Sequence, residues 1–279
     1  MKIAYLILAH KDPQQIIDLI CHLSTAGTTF VVHIDGRAPG EVFQSVRRFA
    51  EGRSDVLLAK REKCYWGRYG IVRATLNCIE AALRLDFDYA ILISGQDFPI
   101  RSNRDISAFL EQNAGSEFIE SFPLAKPNRW TPMTGAFNAL NRIQFMTLFF
   151  RSRRLHLKLK RRMPLGLEPH GGSQWWTLTK PALRWIHAYV EANPAIQRYF
   201  RFVFIPDELF FQTVLSSSPF QDKIAPDLHF IDWQNPNPAC PRTFVLEDFE
   251  RLIQSRKLFA RKIDRNRSSA LIEALQRSQ

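Results

Sequence analysis

Apolar residues fall in short blocks, separated by stretches of helical spacing, through roughly the first 120 positions of the chain. Ile3–Ala9 is a continuous apolar run. Phe30–Ile34 is brief and β-branched and stops at Asp35-Gly36; Asp55–Ala59 and Tyr89–Ser94 are two more such runs, the last halted by Gly95. Between them, Pro13–Ser24 places Ile16, Ile17, Leu19, Ile20 and Leu23 at helical spacing, and Glu41–Glu51 and Gly70–Leu85 also read as helices. Short buried strands alternating with helices predict an α/β fold whose central sheet is mainly parallel and flanked by helices. Ligands in such folds bind beyond the carboxyl ends of the strands. The loops there are Ala9-His10, Asp35-Gly36-Arg37 and Ser94-Gly95-Gln96-Asp97, where a nucleotide would sit.

The periodicity weakens after Glu120. Residues 121–170, rich in Pro, Asn, Arg and Phe, read as long connections around a site. Ser173–Thr179 then reads as a strand, Pro181–Asn193 and Leu209–Leu215 as helices, and Leu246–Ser278 as a basic helical tail. No linker or repeat divides the chain. It is expected to be one domain, 1–279, with a nucleotide-binding part over 1–120 and an acceptor-binding and catalytic part over 121–279.

An apolar fraction of 46% excludes a disordered chain. The net charge of +11 calls for an anionic partner: nucleic acid, anionic lipid or a phosphorylated small molecule. The N-terminal apolar run is too short for a signal peptide and reads as a buried strand. No stretch approaches the roughly 20 apolar residues of a membrane span. Cys21, Cys64, Cys78 and Cys240 show no paired spacing, so reduced core thiols and a cytoplasmic enzyme, peripheral at most to the membrane, are expected.

The run Phe204-Ile205-Pro206-Asp207-Glu208-Leu209-Phe210-Phe211 plants two carboxylates in apolar surroundings. Either they start a helix after Pro206, or one of them is a partnered or proton-transferring group facing a cleft. Asp86-Phe87-Asp88 matches an Asp-x-Asp metal string but precedes its strand, at the end opposite the cleft, so it reads as a turn or cap. Asp97 alone makes a poor Mg²⁺ site; it binds either a sugar hydroxyl or its own loop. Arg242 and the run Leu258–Asp264 either balance a leaving diphosphate or form a solvated helix face. A second basic run, Phe149–Arg162, suits an anionic membrane surface, a nucleic acid, a polyanionic acceptor or a loop beside the acceptor site.

Taken in order, Ala4–His10, Val32-His33-Ile34-Asp35, Trp66-Gly67 with the helix through Leu76-Asn77, Ser94–Ile100, Gly171–Trp176, Pro206-Asp207-Glu208 and Leu258–Asp264 resemble the core-2/I-branching β-1,6-N-acetylglucosaminyltransferase family, which also contains peptide xylosyltransferases and plant glucuronosyltransferases. The resemblance implies a GT-A-type nucleotide-sugar fold and inverting transfer without a divalent metal or other cofactor. Glu208 would be the general base. Asp35 would contact the uridine of a UDP-sugar, and Arg242 and Lys262, with Arg261, its diphosphate. His10 and Asp97 join the donor side as strand-end residues. Glu120, Lys126 and Arg129 are the nearest counterparts of the family's acceptor-gripping residues, and Trp175 and Trp176 are assigned to acceptor sugar because aromatic faces stack on carbohydrate.

The expected partners are therefore a UDP-sugar donor, with GlcNAc as the default sugar, and a glycan or lipid-linked glycan acceptor at an anionic membrane surface; nucleic acid is not expected. Xylosyl or glucuronosyl transfer is the alternative within the family. A basic nucleic-acid-binding protein would explain the charge but not Pro206-Asp207-Glu208. A glycoside hydrolase would need two carboxylates flanking one bond, and adjacent side chains diverge.

Overall fold

The computed structural model describes residues 1–150, 153–234 and 240–279. Its strands are β1 (Ile3–Ala9), β2 (Thr28–Ile34), β3 (Val56–Leu58), β4 (Tyr89–Ser94), β5 (Asp97–Pro99), β6 (Glu117–Ile119), β7 (Phe122–Pro123), β8 (Phe145–Phe150), β9 (Arg153–Lys160), β10 (His170–Gly171), β11 (Trp176–Thr179), β12 (Ile224–Ala225), β13 (His229–Ile231) and β14 (Phe259–Arg261). The helices are α1 (Pro13–Leu23), α2 (Gly40–Ala50), α3 (Gly70–Ala82), α4 (Asn103–Gln112), α5 (Ala139–Gln144), α6 (Lys180–Ala192), α7 (Pro194–Phe200), α8 (Phe210–Leu215), α9 (Phe249–Gln254) and α10 (Ser269–Arg277).

Seven strands form the central sheet in the order β12-β6-β11-β4-β1-β2-β3, with β11 alone antiparallel to its neighbours. Side chains alternate across it as the pleat requires. Ala4 and Leu6 enter a core shared with α3, α6 and α8; Ile3, Tyr5 and Ile7 enter a second core shared with α1, α2, α4 and α10. Each fully buried Leu or Ile contributes roughly 1.5–3 kcal/mol, so the two cores hold the sheet from both faces. This is the α/β class, with a mainly parallel central sheet flanked by helices, expected from the sequence. The order reverses between β1 and β4, the switch point where a ligand crevice opens at the strands' carboxyl ends.

The amino-terminal half follows the hydrophobic pattern closely. Asp12 caps α1 by accepting from the Gln15 N–H at 3.0 Å. Asp86 and Asp88 hold Lys2 at the start of β1, Asp88 accepting from its backbone N–H at 2.7 Å, so the Asp-x-Asp string is a turn as expected.

Three expectations are corrected. Residues 121–170 carry α5 and the antiparallel β8–β9 hairpin as well as connections, so the described residues of the basic run Phe149–Arg162 are neither a helix nor a plain loop; Arg151 and Ser152 in it lie outside the described residues. The carboxyl-terminal tail is not continuously helical: β14 interrupts it at the centre of a second sheet, β13-β14-β5, with Phe259 and Ala260 buried. Of the four free cysteines only Cys78 is a core residue, and Cys21 is exposed. Among the described residues no helix is long and apolar enough to cross a membrane.

Candidate active site

The Glu208 turn begins with a strained residue. Ile205 is β-branched yet lies at φ 53°, a left-handed conformation that costs roughly 1–3 kcal/mol. Its N–H donates to Gly67 O at 3.1 Å, and the Phe204 N–H donates to Arg142 O at 3.3 Å. Gly67 must be glycine here: its φ is 71°, and a Cβ would lie 2.9 Å from the Phe204 ring. The chain then makes a 3₁₀ turn over Pro206–Glu208, and α8 begins only at Phe210.

The two acids of that turn part company. Glu208 is 20% exposed through its side chain and accepts a 2.7 Å hydrogen bond from Arg142 Nη1. Arg142 is itself enclosed; its Nε donates to Phe137 O at 3.2 Å, and its guanidinium lies 3.9 Å from the centre of the Trp130 ring. Asp207 is buried, and its Oδ1 has no hydrogen-bond partner among the described residues. Burial first, and the Glu208 charge second, push its carboxyl up to about 7. Below about pH 7 Asp207 therefore retains a proton, and Glu208 is the acid of the turn that meets Arg142.

This has a consequence for stability. A carboxyl whose pKa rises on folding gives the folded state the extra proton, so stability falls as pH climbs from the ordinary carboxylate range to about 7. Asp207→Asn should remove that decline, on the order of a few kcal/mol, and flatten the change in Tm between about pH 5 and about pH 8. An unchanged slope in the variant would count against a protonated Asp207.

A second cluster lies at the carboxyl ends of the central strands. The Asp35 N–H donates to Ala9 O at 2.8 Å, and its Oδ1 accepts from the Arg37 and Cys64 N–H groups at 2.8 and 3.0 Å. His10 lies among the charges of Lys11, Asp35, Lys262 and Arg261, with desolvation the main cause of its lowered pKa. Arg261, at the end of β14, bonds the Ser94 hydroxyl, pairs with Asp97 at 3.2 Å and stacks 4.6 Å from the Trp175 ring. Burial and then the Arg261 charge lower the pKa of Lys262, whose ammonium makes no ion pair among the described residues.

Several assignments change on this geometry. Asp97 is wholly enclosed, accepting from the Ser94 N–H and pairing with Arg261, so it positions Arg261 and cannot reach a sugar. Arg242 bridges Asp232 and Asp248, and Arg251 shares Asp232, so its charge is already countered. What Arg242 does is brace the strand end, accepting from the Lys262 N–H at 3.3 Å. Trp176 has no exposed surface and packs on Phe211 inside the core, and Trp175 is buried between Arg261 and His229. Neither indole face is open to acceptor sugar.

Glu120 and Arg129 do come together, at 2.7 Å, with Arg129 over the Trp130 ring. Burial, outweighing Arg129, raises the Glu120 carboxyl, and the Glu208 charge adds to this. Gly172 explains the proximity: its N–H donates to Glu208 O at 2.9 Å, and a Cβ on it would lie 1.8 Å from Glu120 O. Lys126 is exposed, and among the described residues no contact ties its side chain to this pair.

Two segments join the clusters. Cys64 to Gly67 runs from Asp35 to Ile205, and burial, with the charges of Asp35, Glu62 and Asp207, pushes the Cys64 thiol up to about 12. Gly172 to Trp175 runs from Glu208 to Arg261. The Gly172–Trp175 segment thus links Glu208 and Glu120 to the cationic strand-end cluster. Sequence reasoning missed Arg142 and Trp130, which lie in the stretch where periodicity fails.

The chain spans about a third of the length of the curated relatives it matches. Xylosyltransferase 2 of Rattus norvegicus is 25% identical over 99% of this chain and 33% of that protein. The Homo sapiens xylosyltransferase 2 shows the same identity and coverage. Xylosyltransferase oxt of Drosophila pseudoobscura pseudoobscura is 24% identical over 95% of this chain and 32% of its own length. The family description Core-2/I-Branching enzyme matches residues 3–254, from the first residue of β1 to the last of α9. With the match running through the Asp35 loop, the Gly67 segment and the Glu208 turn, the chain belongs to the Core-2/I-branching enzyme family.

Proposed function

We propose that this protein is an inverting glycosyltransferase that moves a sugar from a UDP-sugar to a glycan hydroxyl by a single in-line displacement. The observation that carries the reading is the Glu208 carboxyl, partly open and held by Arg142, on a turn whose Gly172 neighbour also meets Glu120 and leads through Trp175 to the cationic Arg261 cluster. Glu208 takes the proton from the acceptor hydroxyl as its oxygen attacks the anomeric carbon, a role worth roughly 10²–10⁴-fold in rate. Asp35 receives the uridine, with its loop held by three backbone N–H bonds. Lys262, backed by Arg261, stabilises the negative charge that develops on the departing diphosphate, so transfer proceeds without a divalent metal. Glu120 and Arg129 hold acceptor hydroxyls beside the base. One displacement inverts the anomeric centre.

The relatives named above are xylosyltransferases, which favours a xylosyl donor over an N-acetylglucosaminyl donor. A panel of UDP- and GDP-sugars tested for thermal stabilisation in EDTA separates these readings, because a ligand bound to the native state raises Tm with its occupancy. Stabilisation by UDP and by one UDP-sugar in EDTA is the expected result, and Lys262→Ala should weaken it roughly ten-fold in apparent affinity. A response that needs Mn²⁺ would overturn the role given to Lys262 and Arg261.

A further inference from the structure

The chain's positive charge is concentrated. From Ser121 to Leu167 there is no Asp or Glu, while ten Lys and Arg fall in the same stretch, so it carries ten of the eleven net charges. Most of those cations lie in or beside the β8–β9 hairpin.

The hairpin has two unlike faces. Register places Thr147 opposite His156 and Phe149 opposite Arg154 on one of them. That face is docked: Thr147 is buried, its N–H donating to Phe202 O at 2.8 Å, and the Arg154 guanidinium lies 3.9 Å from the Phe204 ring centre. The other face pairs Met146 with Leu157, Leu148 with Leu155 and Phe150 with Arg153. None of these apolar residues joins either core; Phe150 is 61% and Leu155 50% exposed, and nearby Leu159 is 63% exposed. A solvated sheet presents polar residues outward, so an outward leucine face is built to be covered. Around it Arg153, Lys158, Lys160 and Arg162 are exposed and make no ion pair among the described residues.

We propose that this face is a docking site for an anionic lipid bilayer. The apolar side chains enter the headgroup–acyl boundary and the flanking cations meet anionic headgroups. A nucleic acid would use the cations but leave the leucines with nothing to stack on, so the mixture favours a bilayer. Because the docked face rests on Phe204, four residues before Glu208, a docked hairpin brings the proposed base to the membrane, where a lipid-linked acceptor would be. The lipid-binding surface stands independently of the transferase reading, since its readout is binding alone.

Cosedimentation with vesicles of phosphatidylglycerol in phosphatidylcholine tests it. The wild-type protein should bind these and not pure phosphatidylcholine. Changing Arg153, Lys158, Lys160 and Arg162 together to Gln should weaken binding by about ten-fold or more. The pair Phe150→Ser and Leu155→Ser should abolish the binding that persists at high salt, with Tm unchanged in both variants because all six side chains are exposed. Absence of vesicle binding, or binding indifferent to both variants, would overturn the proposal. So would displacement from vesicles by a single-stranded oligonucleotide that binds the Phe150→Ser, Leu155→Ser variant as tightly as the wild type.

Discussion

Glu208→Gln is expected to lower the rate of sugar transfer by roughly 10²–10⁴-fold while UDP-sugar binding survives. Glutamine keeps the shape of the side chain and can still meet Arg142, which donates to Glu208 Oε2 at 2.7 Å. What it loses is the capacity to take a proton. The donor-side groups Asp35, Arg261 and Lys262 belong to other segments and are untouched, so donor affinity and transfer rate should separate. Buried Asp207 cannot substitute, because it is enclosed and holds its proton up to about pH 7. Turnover comparable to wild type would remove Glu208 from the mechanism.

Arg142→Met should have the second largest effect, on stability and on rate together. Arg142 is 4% exposed through its side chain and is the only ion-pair partner of Glu208 among the described residues, so its loss leaves a carboxylate without a counter-charge. Breaking one side of a buried pair costs about 3 kcal/mol at the low end of its range, which applies because Glu208 retains some solvent. For a chain of this size that is roughly 6 °C or more in Tm. The backbone role of Arg142, whose carbonyl receives the Phe204 N–H, persists in any variant, so the turn can still form. Arg142→Lys keeps the charge but loses the planar fork that reaches Phe137 O and Glu208 at once, and it should recover only part of the loss. Thermal unfolding and steady-state transfer by the two variants check this; a methionine variant with wild-type Tm and rate would show that Arg142 does not support the base.

The amino-terminal half was legible because local pattern and tertiary role coincide there. β1 and β4 are buried on both faces, so their sequences are continuous apolar runs bounded by the helices that cover them. β14 was not legible: three residues, Phe259–Arg261, are made a strand by β5 and β13, which lie far away in sequence, and the surrounding cations resemble a solvated helix. The β8–β9 hairpin escaped because its outward face is apolar and its inward face holds Thr147, His156 and Arg154, which inverts the usual alternation. In the site, Glu208 could be singled out because an acid among phenylalanines is itself a local anomaly. Its partner could not, since Arg142 is one arginine among several in an aperiodic stretch, and only the fold brings it across 66 residues. The tryptophans misled for a related reason: their type suits sugar stacking, but their strand places Trp176 in the core.

The most direct test of the account is a crystal structure of the protein with UDP bound in EDTA. The diphosphate should lie against Lys262 and Arg261, with the uridine at Asp35 and the Glu208 carboxylate facing the position of the transferred sugar. UDP found instead at the opposite end of the central strands, in the cavity of about 670 Å³ lined by Lys180, Arg184 and Lys223, would contradict it.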